Sequence, residues 1–238
     1  MVVAVLGSFL LDWTAVAFGW RKIKPLAKVL AMISLILWTL FVVDWTPDIL
    51  IIFLVLAQMF GLTGDVLLLF AERGFFAGLG AFLVGHLLYA YLIFFDIFIS
   101  SNLDLSIPRL LFPILITFVF WGVILFAVYR VFKRDHFLQH RKGRLLWNLV
   151  QIYSWILSGL TALTVFRVLI QPNLSVQIGY LPLGGVLFLL SDIILAYDRF
   201  VKPIPRGQLW VHMTYHLGQF CLGAGFLMIM GHIQAIFL

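Results

Sequence analysis

Between Arg109 and Arg130 the chain runs through twenty consecutive residues without a charge, and no other feature restricts its fold as severely. A bilayer core about 30 Å thick is crossed by roughly 20 apolar residues of helix. Inside it the backbone must satisfy its own polar groups, so such a run is a helix. Comparable runs lie at about 2–19, 26–43, 49–70, 75–95, 109–129, 145–169, 179–197 and 208–236,. The expectation is an all-α polytopic transmembrane bundle of about eight helices, a single integral membrane domain over residues 1–238. Composition agrees: 63% of residues are hydrophobic and 11% charged, a balance that a soluble globular domain does not tolerate,. Ala15-Val16-Ala17 imitates a signal-peptide cleavage site, but no basic residue precedes the apolar run and Asp12 interrupts it, so a retained first helix is expected,.

Charge distribution orients the spans. Arg21, Lys22, Lys24 and Lys28 follow the first span, Glu72-Arg73-Gly74 punctuates the third, a basic run from Arg130 to Arg144 follows the fifth, and Arg199, Lys202 and Arg206 follow the seventh. Only Arg109 and Arg167 fall on the other side. By the positive-inside rule the odd-numbered loops are cytoplasmic and both termini lie opposite. The net charge of +6 then reports topology, with bilayer lipids rather than nucleic acid as neighbours. Trp20, Trp45, Trp147, Trp210 and Tyr129 sit near span ends, and Pro172, Pro203 and Pro205 fall in connections,.

Two short segments resemble each other. Gly64-Asp65-Val66-Leu67-Leu68-Leu69-Phe70 and Ser191-Asp192-Ile193-Ile194-Leu195-Ala196-Tyr197 lie four spans apart. An even offset suggests two parallel four-helix repeats. Counted from Arg73 and Arg199, Asp65 and Asp192 lie roughly 10–12 Å below the cytoplasmic charges, at one depth.

A carboxylate in mid-bilayer costs about 2.5–3.5 kcal/mol on insertion scales, so Asp12, Asp65 and Asp192 each require a reason. Gln58, Gly61 and Asp65 share one stripe of the third span, and His212, His216, Gln219 and Gly223 share one of the last,. His86 and Tyr89 lie deeper in the fourth, Asn148 and Gln151 belong to the sixth, and Lys24-Pro25-Leu26 opens the second. The pattern predicts a polar pocket open to the cytoplasmic side. Each residue also has a plainer reading: an aspartate bonded to a neighbouring helix, a satisfied core histidine, a snorkelling lysine. For Asp12, which has no repeat partner, the plainer reading is favoured. Cys221, the sole cysteine, reads as a small packed hydrophobe,, and Gly74 and Gly78 as a packing pair.

The chain has no Gly-x-Ser-x-Gly elbow, no His-Glu-x-x-His and no Cys-x-x-Cys, and its only glutamate is Glu72, expected in a loop,. No metal or other cofactor is expected, since only His212 and His216 have ligand-like spacing. Two buried carboxylates can provide one acid and one base, as in glycosidases and aspartic proteases. The same pair would serve a proton relay in a transporter.

At these residues the sequence resembles the YhhN family of eight-span membrane proteins, whose animal members are lysoplasmalogenases. The resemblance is carried in order by Lys24-Pro25-Leu26, Gly61-Leu62-Thr63-Gly64-Asp65, Phe75 through Gly78, Gly85-His86-Leu87-Leu88-Tyr89, Leu190-Ser191-Asp192, Arg199-Phe200, and Thr214-Tyr215 with Gln219. His216 departs from it, standing where the family commonly has an aromatic. The resemblance implies metal-free hydrolysis of the vinyl-ether bond of a lysoplasmalogen, giving a fatty aldehyde and a glycerophospho-base. Asp65 and Asp192 would be the catalytic acid and base. Lys24 and Lys28 would hold the phosphate of the lysophospholipid, and His86, Tyr89, Tyr215 and His212 would line the substrate site. The rivals are a proton-coupled transporter or binder of lysolipid-like amphiphiles, and an intramembrane aspartyl protease.

Overall fold

The computed structural model describes residues 1–100, 107–139, 143–170 and 179–233. Arg141, Lys142, Pro172 and the end of the expected last span, 234–236, lie outside them. The helices are α1 (Val2–Ala17), α2 (Lys24–Val42), α3 (Ile49–Leu68), α4 (Ala71–Phe95), α5 (Ile107–Val131), α6 (Arg134–Leu138), α7 (Gly143–Leu169), α8 (Tyr180–Phe200) and α9 (Gly207–Ile229). One π-helical turn, Asp96–Ser100, continues α4. The chain is an all-α polytopic bundle. Among the described residues six helices, α2, α3, α4 with its extension, α5, α7 and α8, are long and apolar enough to cross a membrane, and α1 is a shorter apolar helix. The short α6 lies in what the sequence reads as an unbroken basic loop.

Local signals explain the ends. Asp48 caps α3, its Oδ1 accepting the Ile51 N–H at 2.8 Å,. Pro25 stands in the first turn of α2, where its missing N–H costs nothing,. Pro203 and Pro205 lie between α8 and α9, where Arg206 takes a left-handed φ of 57°. The α3–α4 junction corrects the sequence reading. Only Leu69 and Phe70 separate the two helices, and Glu72 belongs to the first turn of α4 rather than to a loop.

Packing repeats across the chain. In the first half α1 packs on α2, α2 on α3 and α3 on α4; in the second, α5 packs on α7, α7 on α8 and α8 on α9. The closing pair of each half, α3 with α4 and α8 with α9, is its most extensive contact. Asp65 and Asp192 stand on the counterpart helices α3 and α8. Gly184 shows how close α8 and α9 come: a Cβ there would lie 2.7 Å from the Leu222 backbone nitrogen and 3.0 Å from the Gly218 oxygen. Small residues allow such approach where lipid gives no hydrophobic drive to association. The halves meet through α4 on α7 and through α9 on α1, α2 and α3.

α9 is the interior helix, buried at every residue from Gly218 to Leu227. His212, His216 and Gln219 are buried with it, whereas Gln208 in its first turn is exposed. α5 is the opposite case, with most of its surface outward. Cys221 is buried, as expected.

Candidate active site

Asp65 sits one turn before the end of α3 and is completely buried. Its Oδ1 lies 2.9 Å from the Nζ of Lys28 on α2. Lys28 is only 8% exposed, so both charges have left water and each depends on the other. Tyr215, one helix away on α9, also approaches this carboxylate. A Cβ at Gly61 would come 3.0 Å from the Tyr215 hydroxyl and 2.7 Å from Gln219 Nε2, so only glycine leaves room for α9's polar stripe beside α3.

Asp192 has a different neighbour. Tyr153 of α7 donates its hydroxyl to Asp192 Oδ2 at 2.5 Å. A set of rings packs around Tyr215: Phe188 meets it at 5.4 Å and Phe82 at 5.6 Å, and His86 meets Phe188 edge-on with centroids 4.4 Å apart. Each carboxylate carries its own partner, the Lys28 ammonium as an ion pair for Asp65 and the Tyr153 hydroxyl as a hydrogen-bond donor for Asp192. Their helical positions differ, since Asp192 lies about two turns before the end of α8,.

Two cavities reach this region. The first, about 490 Å³, is polar and is lined by Arg21, Lys24, Lys28, Asp198, Arg199, Gln208 and His212 together with apolar residues that include Phe75 and Leu195. It gathers the starts of α2, α4 and α9 and the ends of α3 and α8, so the basic connections after α1, α3 and α8 share one end of the bundle. The second, about 180 Å³, is almost wholly apolar, with Phe75, Phe76, Phe132, Leu157 and Leu195 in its wall, and Asp192 and Tyr153 open onto it. Phe75 and Leu195 line both cavities.

The expected site residues divide accordingly. Lys24, Lys28 and His212 reach the polar cavity and Asp192 the apolar one. Lys24 Nζ donates to Gln208 Oε1. Tyr215 stands beside Asp65. His86 and Tyr89 line neither cavity: His86 is buried among aromatic rings, and Tyr89 donates its hydroxyl to Gln219 Oε1 at 2.6 Å. Asn148, expected in the pocket, is exposed on the outside of α7, because its position falls opposite the buried stripe of Leu146 and Val150.

Asp12 has a definite partner. Fully buried on α1, it places Oδ2 2.6 Å from His212 Nδ1 and 3.7 Å from His216 Nδ1. His216 also accepts from the Trp13 indole at 3.3 Å and stacks on Phe9. Among the described residues no set of His, Cys, Asp or Glu side chains is arranged to hold a metal ion. Sequence reasoning did not single out Tyr153, Gln208, or the place of Arg21 and Arg199 on the cavity wall. For the arginines the signal is their position beside the aspartate-bearing segments; for Tyr153 one helix alone offers none.

A sequence model of the YhhN family matches residues 23–226, from the residue before α2 to near the end of α9. No curated protein and no solved structure matches the chain. The matched segment contains both cavities' walls apart from Arg21, and it leaves α1, with Asp12, outside.

Proposed function

The chain belongs to the YhhN family, and from that membership and the two adjoining cavities we propose that it hydrolyses the vinyl-ether bond of lysoplasmalogens to a fatty aldehyde and a glycerophospho-base. One observation carries the reading. A cation-lined cavity and an apolar cavity share the side chains of Phe75 and Leu195, with Asp65 ion-paired behind the first and Asp192 opening onto the second. That is the outline of a single-chain amphiphile: head among Arg21, Lys24, Lys28 and Arg199, tail among phenylalanines, and the bond between them near the carboxylates. The basic end is assigned to the cytoplasmic side.

Enol ethers hydrolyse by protonation of the vinyl carbon remote from oxygen. The resulting oxocarbenium ion is captured by water, and the hemiacetal collapses to aldehyde and alcohol. This needs a proton donor at the apolar end and a carboxylate that stabilises the cation and takes a proton from water. Asp192, at the apolar cavity with its partner Tyr153, is assigned the donor role. Asp65, facing the Lys28 ammonium, is assigned the carboxylate role. No acyl nucleophile is called for, which agrees with the missing serine and cysteine motifs.

The test is aldehyde release from a lysoplasmalogen by purified protein in detergent, with Asp65→Asn and Asp192→Asn beside the parent. Both substitutions are expected to abolish release, and wild-type turnover by either one overturns the assignment. The repeated packing order of the two halves also favours a proton-coupled transporter of the same amphiphiles. Mass spectrometry of products from vinyl-ether and ester lysophospholipids separates the readings, because a transporter yields no product.

A further inference from the structure

The apolar cavity onto which Asp192 and Tyr153 open is too small to enclose a lipid chain. Its volume is about 180 Å³, against the roughly 300–1,000 Å³ that encloses a drug-sized ligand. A long hydrocarbon chain that begins there must leave it. The exposed residues in its wall stand on two helices, Phe76 and Gly80 on α4 and Leu149 and Ile152 on α7. Counted from the helix starts at Ala71 and Gly143, all four lie roughly 8–14 Å along, at one level. Both helices are long and apolar enough to cross a membrane, so side chains exposed on them meet lipid rather than water. Farther along, α4 and α7 close on each other, His86 meeting Tyr153 edge-on with centroids 5.6 Å apart. The cavity's mouth is thus a gap between α4 and α7, bounded by that ring contact.

Gly80 keeps that gap open. Glycine inside a helix costs about 1 kcal/mol against alanine. For Gly78 and Gly85 of the same helix, packing on α3 is the reason: an added Cβ would lie 3.3 Å from the Gly64 oxygen and 3.2 Å from the Ala57 oxygen. At Gly80 an added Cβ meets nothing within 4 Å. Packing does not account for this glycine, and the space beside it is free for a chain.

We propose that the gap between α4 and α7 at Gly80 is a lateral portal, through which the hydrocarbon chain of a single-chain lipid enters the apolar cavity from the bilayer and in which it stays threaded, its far end in lipid. This rests on the amphiphile reading above and gives the tail its route. The head is left to the polar cavity, whose wall shares Phe75 and Leu195 with this one. Carbons beyond the portal contact lipid before and after binding and so contribute no affinity. Chain length past the cavity goes unread.

Photolabelling of the full chain in phosphatidylcholine nanodiscs tests it. The probe is ester-linked lysophosphatidylethanolamine with a diazirine at mid-chain, and the label counted is that removed by excess unlabelled lysophosphatidylethanolamine. Mass spectrometry should place this competed label on the α4 and α7 segments around Phe76 and Ile152. Gly80→Trp should lower it about tenfold. Gly122→Trp, which adds the same bulk at an open, exposed glycine of α5, should leave it unchanged. On the unaltered protein, unlabelled lysophosphatidylethanolamines of increasing chain length should compete equally once the chain is longer than the cavity. Competed label on other helices overturns the portal, as does full labelling of a folded Gly80→Trp, or a steep loss of competition by the longest chains. The label map and the chain-length series need no variant, so a Gly80→Trp that does not fold leaves both to decide. Ester lipids report binding apart from chemistry. Aldehyde release with label elsewhere overturns the portal and leaves the hydrolase reading standing; label at the rim without aldehyde release from any vinyl-ether substrate does the reverse.

Discussion

Lys28 and Asp65 form an ion pair of 2.9 Å between α2 and α3, with both side chains nearly removed from solvent. Lys28 also lines the polar cavity, so one residue neutralises the buried carboxylate and, in the proposed function, presents a charge to the head of a bound lipid.

Removing one member of that pair leaves the other buried and uncompensated. Lys28→Met is expected to destabilise the protein by about 3–5 kcal/mol, measured by thermal unfolding in detergent. The double variant Lys28→Met/Asp65→Leu should recover most of the loss while remaining inactive in aldehyde release. A double variant as unstable as the single one would show that the pair does not carry the effect.

Tyr153→Phe removes the hydroxyl that meets Asp192 at 2.5 Å and keeps the ring. Stability should fall by only about 1 kcal/mol. Aldehyde release should fall about tenfold to a hundredfold, because the carboxyl loses the group that orients it. Unchanged turnover would dissociate Tyr153 from the chemistry.

Asp12→Ala deprives His212 of its acceptor at 2.6 Å and should cost about 1–3 kcal/mol. Asp12→Asn retains a side-chain oxygen and should cost less. Comparing the two in one unfolding assay separates the hydrogen bond from the volume of the side chain.

At the opposite end, Arg167 pairs with Asp96 through Nε and Oδ2, and Arg167 is 3% exposed. Arg167→Met should destabilise by about 3–5 kcal/mol and leave turnover per folded molecule unchanged. A drop in specific activity would mean that this end communicates with the cavities.

Gly184→Ala forces a Cβ to within 2.7 Å of the Leu222 backbone nitrogen and should cost about 1–3 kcal/mol. At Gly80 an added Cβ meets nothing within 4 Å, so Gly80→Ala should stay within about 0.5 kcal/mol of the parent. Similar losses at both positions would argue against the close α8–α9 approach as the source of the effect.

Read from the sequence alone, the all-α polytopic bundle, the aspartate-bearing helices and the buried stripes on α3 and α9 were legible. Each depends on periodicity and hydropathy along one helix, and these set which face of that helix turns inward and roughly how deep a residue lies. They do not set which helix lies opposite. The pairing of Asp65 with Lys28, the hydroxyl of Tyr153 before Asp192, the capture of His212 by Asp12 and the exclusion of Asn148 from the interior all depend on the rotation of one helix against another. That rotation follows from contacts such as Gly184 against Gly218 and Leu222, made between segments distant in the chain. The sequence therefore determined that charged groups must be buried in this bundle, because insertion makes them costly; only the tertiary packing decided which partner compensates each one.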